Sequence, residues 1–287
     1  MPPRSSTAIR AASSDLTGKA CSPNTIHWTY DTWALANTTG REVVKSGGDT
    51  WFFLTVDYAF GAALQRDVTK VVEQAGGKVL GEVKHPLNSP DFSSFLLQAQ
   101  GSKAKVIGLA NAGGDTINSI KQAAEFGIVS KGQSLAGLLV FITDINALGL
   151  ATAHGLKLSE SFYWDRDDNT RAWSKKYAAK FDGRMPTMIH AGVYTSLLHY
   201  FKAVNELKSA KDGKAVVAKM EATPTDDPLF GKGTIDPNGR KRHSMYVYQV
   251  KPPEESKGKW DYYKLIREVP ADQAFRKPAD SGCPLVK

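Results

Sequence analysis

Cysteine is almost missing from this 287-residue chain: Cys21 and Cys283 are the only two, near opposite ends. Two are too few for a disulfide scaffold, and their spacing is not that of a metal knuckle. They are either two buried thiols or one disulfide tying the tail to the start in an oxidising compartment. Long hydrophobic runs are missing as well, since no stretch approaches the roughly 18 apolar residues that span a bilayer. The opening Met-Pro-Pro-Arg-Ser-Ser-Thr-Ala-Ile-Arg has positive charge but no apolar core, so it is not a secretory signal as written. Compositional extremes are also lacking. With 41% hydrophobic and 23% charged residues, a disordered, collagen-like or low-complexity chain is excluded. The length suggests two lobes or one large one.

Catalytic patterns are equally scarce. There is no Gly-x-Ser-x-Gly turn for an exposed nucleophile and no Walker A spacing. The six histidines, His27, His85, His154, His190, His199 and His243, show no metal-ligand spacing, so no metal site is expected. His199 reads as a packed or surface residue within a helix. Asp165, Asp167 and Asp168 read as a solvated turn capping the helix that starts near Asn169. Gly108 to Gly114 follows a strand, but the Gly-x-Gly-x-x-Gly spacing of a dinucleotide site fails. The net charge of +8 permits acidic partners without showing one. Its one dense run, Arg240-Lys241-Arg242, follows the turn Asp236-Pro237-Asn238-Gly239 and reads as a solvated hairpin flank rather than a nucleic-acid patch. These absences favour binding over chemistry.

What is present is a regular alternation. Trp51 to Val56 is an aromatic and β-branched run that predicts a buried strand. Leu64, Val68, Val71 and Val72 follow at helical spacing over 60–75, closed by Gly76-Gly77. Val79 to Val83 is the next strand, and Asp91 an N-cap for a helix carrying Phe92, Phe95, Leu96 and Ala99. Lys105 to Ala110, a helix with Ile117, Ile120 and Ala124 closed by Gly127, and a strand over Leu138 to Ile142 complete the first half. Strand–helix units of roughly 30 residues predict an α/β fold with a parallel sheet and right-handed crossovers. The strands are continuous apolar runs, as a sheet covered on both faces requires. Ligands of such sheets sit outside the carboxyl ends of the strands, so the loops 57–61, 111–115 and 143–146 are the ones to inspect. Further on, Leu156 to Trp164 is strand-like, followed by helices over Asn169 to Phe181, Ala191 to Leu207 and Lys214 to Ala222. The second of these carries Tyr194, Leu197, Leu198, Phe201 and Val204 on its apolar face. Gly231 to Ile235 and Met245 to Val250 then read as a terminal hairpin, and Asp261 to Val269 as a last strand.

The segment Thr55-Val56-Asp57-Tyr58-Ala59-Phe60-Gly61 resembles the Asp-Tyr-x-x-Gly loop of the periplasmic branched-chain amino-acid binding proteins. The strand–loop–helix order around Asn111 to Gly127 and Leu138 to Asn146 is similar to their second lobe, as is the tail pattern Asp227-Pro228-Leu229-Phe230-Gly231-Lys232-Gly233. The likeness runs from about Ala11 to the C-terminus. It implies a type I periplasmic binding protein-like fold, with two parallel-sheet lobes joined by three hinge crossings. It further implies a non-catalytic solute-binding component of an ABC importer. Such a component is a periplasmic monomer that closes around an amino acid or related small, even aromatic, carboxylate and delivers it to a membrane permease. It implies no cofactor, no metal and no nucleic acid.

Carried over residue by residue, Ser13 and Ser14 would take the ligand carboxylate, and Tyr58 would contact the ligand from the second lobe. Asn111 and Ala112 stand where the family has another contact, usually aromatic. Asp144 would hold the ligand ammonium, and Trp28 with Tyr30 would line the pocket. Each has a plainer alternative: turn residues for Ser13 and Ser14, packing under a helix for Tyr58, a helix cap for Asp144, and core or hinge packing for Trp28. In these terms residues 1–28 are a remnant of the first lobe and 29–155 the second lobe. Residues 156–225 are helices returning to the first lobe, and 226–287 a hairpin and tail crossing back to the second. The family's opening βα units and secretory signal would then be missing, through a wrong start, a frameshift or a truncated gene, and binding by this chain alone would be poor. Two rivals of other classes are a ligand-sensing regulatory domain of the same fold and a two-lobed nucleotide-using transferase. The first needs an output module, and the second a phosphate loop or metal-binding acidic pair.

Overall fold

Trp51, Phe52, Phe53, Leu54 and Val56 cannot all face one side of a strand, because successive side chains alternate. All are buried, so this strand is covered on both faces. It belongs to a seven-stranded sheet in the computed structural model, which describes residues 5–286. The spatial order is Tyr263–Val269, Met245–Val250, Lys157–Glu160, Ser134–Gly137, Val106–Ala110, Thr50–Val56 and Lys78–His85. From Lys157–Glu160 to Lys78–His85 every neighbouring pair is parallel, whereas Met245–Val250 runs antiparallel to Lys157–Glu160. The parallel part follows the expected βα order. Helix Ala59–Gln74 buries Leu64, Val68, Val71 and Val72 against the sheet and ends before Gly76, whose φ of +88° suits a residue without Cβ. Helix Gly114–Glu125 ends likewise before Gly127.

This sheet forms one of two units, comprising Leu35–Glu160 and Tyr246–Glu268. The other, the disulfide unit, holds the described residues up to Ala34, Ser161–Met245 and the tail from Val269. The chain therefore passes between units four times, not three, and the additional passage is the return of the tail. Residues 226–245, expected in the segment crossing to the second lobe, lie instead in the disulfide unit. Its tail is held by the Cys21–Cys283 disulfide, which resolves the two cysteine alternatives. The unit contains a short parallel pair, Ser6–Ala8 with Thr25–His27, and an antiparallel trio, Thr225–Asp227, Gly231–Ile235 and Lys241–Arg242. Among the described residues, an isolated bridge between His27 and Arg240 connects them. Helices Asp168–Ala178, Met188–Leu207 and Gly213–Ala222 complete it.

Four expectations change. The strand placed at Leu138 to Ile142 lies earlier, at Ser134–Gly137; Leu138, Leu139 and Val140 are buried in the connection after it, so their apolar run signals burial without pairing. The terminal hairpin does not form. Gly231–Ile235 pairs with Thr225–Asp227 and Lys241–Arg242, while Met245–Val250 joins the large sheet. Arg240 and Lys241 are not solvated but 1% and 0% exposed. Finally, Tyr194, Leu197, Leu198 and Phe201 of Met188–Leu207 face solvent, whereas the helix buries Met188, Ala191, Gly192, Thr195, Ser196, His199 and Ala203 and packs Tyr200 and Val204 against the core. His199 is a packed residue whose Nε2 lies 2.9 Å from the Met220 carbonyl. Asp167 caps helix Asp168–Ala178 by accepting from the Thr170 amide, close to the capping turn expected at Asn169.

Candidate functional site

Within the sheet unit the expected residues gather at one edge. Tyr58 follows strand Thr50–Val56, Asn111 and Ala112 follow its parallel neighbour Val106–Ala110, and Asp144 lies beyond Ser134–Gly137, the next strand over. All three loops leave carboxyl ends, where open α/β sheets bind ligands.

The Asp-Tyr-x-x-Gly spacing has a steric cause. Gly61 lies in the first turn of helix Ala59–Gln74, and a Cβ there would run into the Val56 carbonyl oxygen. Only glycine lets the helix turn so sharply off the strand, and this sharp turn leaves Tyr58 outside it, in extended conformation at the N-cap. Tyr58 is 46% exposed, with its ring 5.9 Å from that of Phe60, so it does not pack under the helix. Asn111 differs. It is fully buried; its Nδ2 donates to His85 Nε2 at 3.2 Å, and its Oδ1 accepts from Thr116 Oγ1 at 2.7 Å. His85 Nδ1 faces the Pro86 carbonyl at 2.8 Å, which fixes the proton on Nδ1 and leaves Nε2 to accept. Asn111 thus positions the loop, and half-buried Ala112 and Gly113 are what the loop presents. Asp144 takes its capping alternative: Oδ2 accepts from the Phe141 amide at 2.9 Å, and burial pushes its carboxyl up.

Within the disulfide unit, Ser13 Oγ accepts from the Asp15 amide at 3.3 Å and opens the single turn Ser14–Thr17. The Ser14 amide donates to Thr32 Oγ1 at 3.0 Å, and the Thr32 amide to the Ala12 carbonyl at 2.8 Å. Ser13 and Ser14 are turn residues by geometry, and their loop is pinned to the segment after Tyr30. Trp28 is core. It is fully buried against Ile26, Val216, Met220 and Ile235, and its Nε1 donates to Thr195 Oγ1 at 2.8 Å. Tyr30 is 1% exposed. A cavity of about 10 Å³, room for one water, lies beside Ser14 and is lined also by Thr17, Asp31, Trp33, Asn238, Arg240, Arg276 and Ser281.

Residue reasoning missed the charges under this turn. Arg240 Nη1 pairs with Asp31 Oδ2 at 3.4 Å, and the guanidinium lies 4.6 Å from the Phe275 ring. Burial lowers Arg240 to about 10, still cationic at neutral pH. Lys241 Nζ sits 4.5 Å from the Phe230 ring, 5.2 Å from Trp28 and 3.7 Å from Asp227, and burial lowers it to about 8. No local pattern announces this, because the acidic partners Asp31 and Asp227 are distant in sequence and a basic triplet after a turn looks like surface. Two buried histidines share the region. Burial, then the charge of Arg240, holds His27 well below its ordinary 6.5. Burial and Lys241 do the same for His243, against the Ser244 and Thr29 carbonyls. Below about pH 6.5 the unfolded chain therefore binds protons that the folded unit refuses, and stability should fall as pH drops through that value. Urea titrations at pH 7.5 and 5.5 check the sign; equal or greater stability at 5.5 would contradict it.

Residues 6–259 match the periplasmic binding protein family. A periplasmic binding protein of Burkholderia mallei is 50% identical, with a TM-score of 0.94 over 98% of this chain and 74% of that one. A branched-chain amino-acid ABC transporter periplasmic ligand-binding protein of Burkholderia xenovorans LB400 is 36% identical, with a TM-score of 0.87 over 98% and 75%. A Leu/Ile/Val-binding protein homologue of Brucella melitensis is 23% identical over 96% of this chain and 68% of its own length. The parallel sheet, the loops at its carboxyl edge and these likenesses agree: the chain belongs to the periplasmic binding protein family and has its type I fold.

Proposed function

We propose that this chain is a non-catalytic solute-binding component of an ABC importer, acting in the periplasm as a monomer on an amino acid or related small carboxylate. Family membership supports the class. The observation that carries the ligand site is Tyr58, an aromatic side chain kept exposed at a sheet's carboxyl edge by the Gly61 turn. In this reading Tyr58 and Ala112 contact the ligand from the sheet unit, with Asn111 holding their edge in place. Asp144, one oxygen of which caps, offers the other to an ammonium. The hydroxyls of Ser13 and Ser14 and the Ser13 amide take the carboxylate from the disulfide unit, while the Ser14 amide stays on Thr32 and Trp28 supports the loop from the core. Closure about the hinge follows from ligand contacts that only the closed state supplies together.

Calorimetry against leucine, phenylalanine and benzoate tests the class. Weak but saturable binding of at least one of them is expected, with submicromolar affinity overturning the expectation of poor binding by this chain alone, and Tyr58→Ala should weaken it further by about tenfold or more, on the order of 1.4 kcal/mol, with unchanged melting. Failure of all three to bind, or an unaltered affinity in the variant, counts against the assignment.

A further inference from the structure

The turn Asp236-Pro237-Asn238-Gly239 holds the only Asn-Gly step in the chain. Such a step reacts with itself wherever the backbone is loose. The Gly239 nitrogen attacks Asn238 Cγ and gives up its proton, the Cγ–Nδ2 bond breaks, and ammonia leaves a cyclic imide behind. Water then opens the imide on either side, giving aspartate or isoaspartate. No oxidant or reductant takes part. Glycine favours the reaction because no Cβ shields its nitrogen and its backbone reaches conformations that other residues avoid.

In the folded disulfide unit every reacting group is committed elsewhere. The Gly239 amide, the nucleophile, donates to the Asp236 carbonyl at 2.8 Å. Asn238 Nδ2, the leaving group, donates to the Thr17 carbonyl at 2.8 Å, and Asn238 Oδ1 accepts from the Arg240 amide at 3.3 Å. Asn238 is 3% exposed, so the solvent that must carry the proton and the ammonia away has little access. The turn is also pinned from outside. The Gly239 carbonyl accepts from the His27 amide at 2.8 Å, and Gly239, at a φ of +80°, lies so near the Thr25 carbonyl that a Cβ would collide with it. The lock is therefore tertiary, not a property of the turn.

One part of this lock depends on the tail. Thr17 ends the turn Ser14–Thr17, and the residues after it are held from the other side. Gly18 lies against the Ser281 carbonyl, and Cys21 is bonded to Cys283. We propose that Asn238 is a deamidation site gated by the Cys21–Cys283 disulfide. It is silent while the bond keeps Thr17 against it, and it reacts once the bond is cut and the unit opens. The products do not fit the closed unit. A carboxylate in place of the amide sets an oxygen against the Thr17 carbonyl, where a donor is required. An isoaspartyl link lengthens the backbone between Asp236 and Arg240 by a methylene. Modification thus turns a reversible opening into a permanent one. The inference does not depend on which ligand is bound.

The test follows aspartate and isoaspartate at position 238 by peptide mass mapping at mildly alkaline pH. It compares the oxidised chain, the reduced chain, Cys283→Ser and the oxidised chain unfolded in urea. Where opening and closing are fast, the rate tracks the fraction of open chains. The oxidised folded chain should react more slowly than the urea sample by about tenfold or more, and both bond-free samples faster than the oxidised chain by about tenfold or more. Cys283→Ser needs no reductant, so its agreement with the reduced chain assigns the gate to the bond. An oxidised chain as reactive as the urea sample overturns the proposal, as do bond-free samples no faster than the oxidised one. Asn238→Asp, which carries one product from the start, should melt below the unmodified chain. An unchanged melting temperature would show that the product fits and that opening stays reversible. None of these readouts involves the solute, so they stand or fall apart from the ligand reading.

Discussion

Reducing the Cys21–Cys283 bond should lower the melting temperature of the disulfide unit by on the order of 10 °C and leave the sheet unit's transition in place. The bond joins residues 262 apart. On the chain-entropy account a loop of that length is worth roughly 5.6 kcal/mol, and native disulfides usually give about 2–4 kcal/mol. The folded tail adds contacts of its own. The Ser281 carbonyl approaches Gly18 so closely that a Cβ there would sit 2.8 Å away, and Arg276 stacks 4.2 Å over the Trp33 ring. Asn238 Nδ2 donates to the Thr17 carbonyl from beneath the same turn at 2.8 Å. Release of the tail therefore also loosens the Ser13–Thr17 turn, on which carboxylate binding is proposed to depend. Calorimetric melting of the oxidised chain, the reduced chain and Cys283→Ser measures the effect. Identical profiles, with reduction verified by mass, would rule out a stabilising role.

Asp31→Ala is expected to cost about 3–5 kcal/mol, among the largest effects of any single substitution here. Asp31 is 3% exposed; its Oδ1 accepts from the Ala34 amide at 2.7 Å, and its Oδ2 faces Arg240. Removing it leaves a guanidinium that is 1% exposed without its paired carboxylate and with only Asp236 opposing its charge, in surroundings that already depress its pKa. Taking the charge away as well should recover most of the loss, because a buried ion pair is seldom worth much more than a well-packed apolar replacement. Asp31→Ala/Arg240→Met should thus be more stable than Asp31→Ala by about 2 kcal/mol. Denaturant unfolding of the two single variants and the double variant gives the coupling directly. A double variant as unstable as the sum of its parts would show that Arg240 is not penalised by losing Asp31.

How far the sequence could be read differs between the units for one reason. In the sheet unit, helices and strands follow one another locally, so periodicity and glycine punctuation were enough. Leu64, Val68, Val71 and Val72, with Gly76 after them, fix a helix whose stop is a backbone requirement. The apolar run Leu138 to Val140 misled because burial in a connection and burial in a strand demand the same residues. In the disulfide unit the partners are remote. Trp28 meets Thr195, Arg240 meets Asp31, and Cys21 meets Cys283, and no local window contains both members of any of these pairs.

By itself, then, the sequence determined the α/β class, the parallel βα order, the loops at the carboxyl edge and the likeness to a solute-binding family. These depend on side-chain period and on short spacings such as Asp57-Tyr58 to Gly61. Only the tertiary structure decided which candidates face outward and which are committed inside. Tyr58 remains exposed because Gly61 turns the helix away, whereas Asn111 and Trp28 spend their polar atoms on His85, Thr116 and Thr195, and Asp144 spends one of its two oxygens on the Phe141 amide. It also turned the basic triplet inward, closed the disulfide and left an apolar helix face bare. Charge and hydrophobicity are properties of a residue, but whether they are satisfied is set by neighbours that the chain brings together only when it folds.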